Sequence, residues 1–175
     1  ALAALSSTQL LCVYQGASAG TPRERILDIS GSAITASAEV AADATAAAAT
    51  YMRVGKISST KALVCFRANS GNKIQARLQS VSGSTPSTTG SVRDFSLMPG
   101  TSPSSSFGLA ILSTTRALVV TGIDRTYGDI MAVLLDISGT SPTILRYLNL
   151  SVGGITTIEL NVVKLSDNTA YASWL

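Results

Sequence analysis

A ten-residue motif that returns along the chain constrains its folding more than any other feature. Leu5-Ser-Ser-Thr-Gln-Leu-Leu-Cys-Val-Tyr14 recurs as Ile57-Ser-Ser-Thr-Lys-Ala-Leu-Val-Cys-Phe66 and as Leu112-Ser-Thr-Thr-Arg-Ala-Leu-Val-Val-Thr121. A worn copy opens at Leu165-Ser-Asp-Asn-Thr-Ala-Tyr-Ala-Ser-Trp174, so the starts at 5, 57, 112 and 165 give periods of 52, 55 and 53 residues. Self-similarity at such a period marks a repeat architecture in which each unit buries its faces only against its neighbours. A second landmark keeps phase with the first: Asp28-Ile-Ser-Gly-Ser32, Ser80-Val-Ser-Gly-Ser84 and Asp136-Ile-Ser-Gly-Thr140 begin 23, 23 and 24 residues after their unit starts. The chain reads as one repeat domain of units 5–56, 57–111 and 112–164 with a stub at 165–175.

Within each unit the apolar runs are short, β-branched and bounded by Gly, Ser, Asn or Pro, which is a strand pattern. The first strand of each unit (10–14, 62–66, 117–120) is apolar on both faces, as expected of a strand sandwiched between sheets. The second (25–29, 73–81, 129–137) ends in the Ser-Gly-Ser/Thr turn, whose Gly31, Gly83 and Gly139 are expected to supply positive φ. A third strand follows at 33–40, 88–97 and 143–150, and a fourth at 51–57, 107–112 and 157–165. The Ala-rich stretch 38–50 favours helix by composition, yet its counterpart 98–106 holds Pro99, Gly100 and Pro103, so both are read as loops. Four antiparallel strands every 53 residues or so is the arithmetic of a β-propeller blade. The fold class predicted is therefore all-β: a β-propeller-like array of four-stranded antiparallel blades, three blades plus part of a fourth. Such an array is either a segment of a larger propeller or a short chain that completes its ring by association.

Composition narrows the chemistry. Charged residues are 13% of the chain, while 25 Ser and 19 Thr supply about a quarter of it. Mean hydropathy is +0.34, but no apolar run reaches the roughly 18 residues of a spanning helix, so membrane insertion is not expected. There is no His, which removes the commonest general base, the triad histidine and every imidazole metal ligand. Neither G-x-S-x-G nor G-x-x-x-x-G-K-[ST] occurs, and no D-x-[DN]-x-[DN]-G cluster exists, so no catalytic residue, metal or cofactor is predicted. Cys12 and Cys65 lie one position out of register between the repeats and read as two buried thiols. Asp28 and Asp136 precede equivalent turns, where a carboxylate accepts hydrogen bonds from turn N–H groups.

The repeat Leu-Ser-Thr-Thr-Arg-Ala-Leu-Val-Val followed by Leu-Leu-Asp-Ile-Ser-Gly-Thr resembles that of propeller-like repeat proteins of bacteriophage tails, fibres and other virion appendages. The resemblance spans nearly the whole chain and rests on strand and turn residues. It implies a virion or extracellular surface location and a non-enzymatic structural and adhesion module that touches a host surface glycan or protein alongside other appendage subunits. It carries over no site residues. Two other classes stay open: a purely structural self-assembling subunit, homo-oligomeric and without an outside ligand, and a fragment of a propeller enzyme whose active site lies elsewhere.

Candidate binding residues come from the equivalent loops between first and second strands, which vary while the strands hold. They are Tyr14, Gln15 and Arg23, then Arg67, Asn69 and Asn72, then Asp124, Arg125 and Tyr127, a mixture of aromatic faces and planar donors and acceptors suited to sugars. Charge adds one further expectation. Residues 57–111 carry Lys61, Arg67, Lys73, Arg77 and Arg93 against Asp94 alone, a net +4 that offers phosphate, sulfate or an acidic surface a contact. Nucleic acid is not expected, because interleaved aromatics for base stacking are nearly missing.

Overall fold

The structure, a computed structural model, describes residues 1–17, 20–42, 48–68, 73–95, 102–124, 129–150 and 160–174. Its regular elements are all β-strands. Sheet 1 comprises β1 (Leu2–Ala4), β2 (Gln9–Gln15), β3 (Pro22–Ser30) and β4 (Ala33–Ala36), with the two-residue β5 (Val40–Ala41) also paired to β3. Sheet 2 runs β6 (Ala49–Ser58), β7 (Lys61–Ala68), β8 (Lys73–Ser82), β9 (Thr85–Phe95). Sheet 3 runs β10 (Ser102–Ile111), β11 (Arg116–Asp124), β12 (Asp129–Asp136), β13 (Thr143–Asn149). Sheet 4 comprises β14 (Leu160–Ser166) and β15 (Thr169–Trp174). Every pairing is antiparallel between sequence neighbours, apart from the β3–β5 pair.

The ten-residue motif is the hairpin joining the first and second strands of each sheet. Its first Ser accepts a hydrogen bond from the N–H two residues on: Thr8 to Ser6, Thr60 to Ser58 and Thr115 to Ser113, each at 3.2 Å, and Asn168 to Ser166 at 3.3 Å. A short hydroxyl that satisfies a turn N–H explains why these positions stay Ser and Thr. The sheets are consequently offset by one strand from the sequence units. The strand read as the fourth of unit one, near 51–57, is β6 and opens sheet 2. A sequence repeat has no intrinsic phase, and only the hydrogen-bonded ladder fixes where a sheet begins.

The second landmark is the hairpin between third and fourth strands in sheets 1 and 2, where Gly31 and Gly83 adopt φ of 60° and 59° as the turn chemistry predicts. Gly139 departs from that expectation: its φ is not positive, and an added Cβ would meet nothing closer than Ser141 O at 3.8 Å. Gly83→Ala is therefore expected to lower stability by about 1 kcal/mol through left-handed strain alone, whereas Gly139→Ala stays within about 0.5 kcal/mol. Paired thermal melts of the two variants check this, and equal losses would contradict it.

Each sheet has a back face laid on the front face of the next. Leu11, Val13 and Ile26 of sheet 1 pack with Ala62, Val64, Phe66 and Val81 of sheet 2. Leu63, Cys65, Ala76 and Leu78 on the back of sheet 2 pack with Ala117, Val119, Met131, Val133 and Leu135 of sheet 3. Val120, Ile130 and Ala132 then meet Leu160, Val162, Ala172 and Trp174. The first strands β1, β6, β10 and β14 run beside one another through these junctions. Two glycines permit the approach: a Cβ at Gly55 would lie 2.5 Å from Ile111 Cγ1, and one at Gly108 would lie 2.5 Å from Val162 Cγ2.

Polar ties repeat with the same geometry. Gln9, at the start of β2, donates through Nε2 to Gly83 O of the sheet 2 turn at 3.2 Å. Its repeat counterpart Lys61 donates through Nζ to Ile137 O and Gly139 O of the sheet 3 turn at 3.2 and 3.1 Å. Asp136 accepts from Ser138 N at 2.8 Å within its own turn, as expected, and the Ser138 hydroxyl together with this N–H holds its carboxyl below the usual range. Asp28 differs: it accepts from the Ser84 hydroxyl of the next sheet and from Gln9 Nε2 at 2.8 Å, which together lower its pKa. Both cysteines are free; Cys65 is buried, with its thiol pushed up by desolvation, while Cys12 on the outward front of sheet 1 is only half-buried.

Candidate functional site: a cleft between sheets 1 and 2

At the ends of β2 and the start of β6 the chain forms an open cleft of about 370 Å³. It is lined by Ala1, Val13, Tyr14 and Gln15 from sheet 1 and by Ala49, Thr50, Tyr51 and Met52 from sheet 2. The β2–β3 loop is anchored to β6 here, because Ala49 N donates to Gly20 O at 2.8 Å. Gly20, at φ 65°, permits the bend. Among the described residues, Ala48 and Tyr51 are the non-glycine residues with positive φ, 30° and 49°. Tyr51 lies in the register irregularity between Thr50 and Arg53, where β6 bulges against β7. A tyrosine held at left-handed φ costs backbone energy of order 1 kcal/mol or more. Its side chain remains 48% exposed, so burial of the ring does not account for that conformation.

Beside the cleft, the outward front of sheet 1 carries a polar network. The Tyr14 hydroxyl donates to Glu39 Oε2 and accepts from Arg25 Nε at 2.9 Å. Glu39 also pairs with Arg23 Nε at 3.6 Å and Arg25 NH2 at 3.7 Å. Burial, then the bond to the Glu39 carboxylate, raises the Tyr14 pKa, while the same bond lowers that of Glu39. The network fixes the Tyr14 hydroxyl and both guanidinium groups, leaving the half-exposed side chains as oriented donors and acceptors.

Of the nine residues expected from sequence, Tyr14 and Gln15 line the cleft, and Arg23 joins the network at its flank. Arg67 is half-buried in β7, where it pairs in register with Thr50 of the cleft strand. Asn69, Asn72, Arg125 and Tyr127, and the side chain of Asp124 at the end of β11, lie outside the described residues. Thr50 and Tyr51 were absent from the sequence expectation; the one available signal was an aromatic directly after an Ala-rich run.

The cations of residues 57–111 are not gathered into one patch. Lys61 caps the sheet 3 turn, Lys73 pairs with Asp94 at 3.3 Å at the other end of sheet 2, and Arg77 donates to Gly90 O at 3.2 Å. Among the described residues no group of three or more Cys, Asp or Glu side chains is placed to hold a metal ion. No known protein family, curated protein or solved structure matches the chain.

Proposed function

We propose that this chain is a non-enzymatic structural and adhesion module, an arc of a β-propeller-like array belonging to a phage tail or another extracellular appendage, that presents the sheet 1–sheet 2 cleft to a surface glycan. Support for the propeller reading is the front-to-back order of four-stranded sheets with their first strands side by side. The appendage reading rests on the likeness of the repeat. The observation that carries adhesion is the cleft itself: exposed Tyr51 in strained backbone, with Gln15 in the opposing lining and Tyr14 at the edge beside the front-face network. A tyrosine ring offers an apolar face and a planar amide offers paired donors and acceptors, the combination a sugar ring needs. Single contacts of this kind are weak, and copy number in an appendage multiplies them.

The test is binding of the purified chain to an array of bacterial surface glycans, with Tyr51→Ala and Gln15→Ala beside the parent. Tyr51→Ala is expected to remove binding while leaving the melting temperature nearly unchanged, because alanine keeps the same left-handed strain and the lost ring is half exposed. Equal binding by parent and both variants would sink the cleft as the site, and absence of binding by the parent would sink the adhesion reading.

A further inference from the structure

Residues at equivalent repeat positions are buried in the inner sheets and exposed on the two end faces. On the front, Leu2 is 61% exposed, whereas its counterparts Val54, Leu109 and Val162 pack into the three junctions. Ile34 is 67% exposed, whereas its counterparts Pro86 and Pro142 are buried. Pairing places both on one side: Leu2 opposes Cys12 and Ile34 opposes Ile29, on the face turned away from sheet 2. On the back of sheet 4, Leu165 is 65% exposed, yet its counterparts Leu5 and Leu112 are 0% and 6% exposed. Tyr171 is 60% exposed, yet its counterparts Leu11 and Leu63 are fully buried. Exposed apolar side chains at positions that elsewhere lie under a neighbouring sheet mark an interface of the same kind.

We propose that the front of sheet 1 seats on the back of sheet 4 of a second copy of this chain, continuing the stacking that the chain makes three times within itself. Continuity with that internal interface selects the occupant. A front face carrying Leu2, Leu10, Cys12 and Ile34, with Tyr14, Arg23 and Arg25 beside them, has apolar residues at the positions that fit a back face at the internal junctions, and a second copy supplies that back face. The contact is heterologous, one patch meeting a different patch, so the two faces are separable by substitution. Neither Tyr51 nor Gln15 takes part, while Tyr14 and its network with Glu39, Arg23 and Arg25 lie on the same front face.

The test is sedimentation equilibrium of the chain and of two variants, Ile34→Asp on the front and Leu165→Asp on the back, each already exposed and checked for strand content by circular dichroism. Tyr171→Asp replaces Leu165→Asp if the latter loses structure. The parent is expected to move with concentration from 18.0 kDa to twice that mass or beyond, and each variant alone to stay at 18.0 kDa. An equimolar mixture of front and back variants is expected to regain a species of twice the protomer mass, because one intact front then meets one intact back. A parent that is monomeric to its solubility limit, a mixture that stays monomeric, or a single variant that still pairs with itself would each overturn the proposal.

Discussion

Raising the pH from about 5 to 8 is expected to destabilise this protein, and Glu24→Gln to remove most of that loss. Glu24 in β3 is 0% exposed, points from the back of sheet 1 toward sheet 2, and has no hydrogen-bond partner for either carboxylate oxygen among the described residues. Desolvation raises its pKa from 4.5 to about 7, with Arg77 across the junction pulling the other way. The native state therefore holds the proton more tightly than the unfolded chain. Its contribution is fully present below pH 4.5, falls as pH rises to about 7, and stays lost above. The span corresponds to roughly 3 kcal/mol, as an upper order of magnitude. Half-buried Asp28 and Asp136 and exposed Glu39, whose pKa values are lowered, act in the opposite sense at the acid end. Urea titrations at pH 5 and pH 8 decide the matter: the parent should lose stability between them while Glu24→Gln stays nearly flat. A parent equally stable at both pH values would show that Glu24 is solvated.

Phe66→Ala is expected to cost about 3–5 kcal/mol, whereas Tyr14→Ala, at the same place in the preceding repeat, costs about 1 kcal/mol or less. Phe66 is fully buried between sheets 1 and 2, in one cluster with Val13, Ala49 and Val64. Tyr14 occupies the equivalent position on a face without a covering sheet, half-exposed and held by Glu39 and Arg25. The two aromatic truncations thus compare one repeat position with and without a neighbouring sheet. Chemical denaturation at a protein concentration below self-association supplies both values. Equal losses would contradict the front-to-back order.

The strands and turns were legible because the hairpin chemistry repeats: Ser6, Ser58 and Ser113 perform one task, and the eye finds them without knowing it. What periodicity does not encode is partnership. The strand at 49–58 reads the same whether it closes one unit or opens the next, and only its ladder with β7 decides. Glu24 was illegible for a related reason. In Arg23-Glu24-Arg25 it looks like a solvated charged run, yet strand alternation sends Arg23 and Arg25 outward and Glu24 inward, to the place that sheet 2 fills with Ala76. Tyr51 escaped because a bulge shifts it out of the alternation that would have marked its face. Gly139 shows the converse limit: the Ser-Gly-Thr sequence matches its relatives, but the backbone there does not need a glycine.

The most direct measurement of the stacking is a set of nuclear Overhauser contacts across the junctions in the labelled protein. The expected result is strong cross-peaks from Gly55 Hα to the Ile111 side chain, and from Gly108 Hα to the Val162 methyls, since a Cβ at either glycine would stand 2.5 Å from those groups. Gln9 side-chain amide protons should likewise contact Gly83. Intact hairpins that show none of these cross-sheet contacts would mean that the sheets fold separately and do not stack, and would contradict the front-to-back array on which the cleft and the end faces depend.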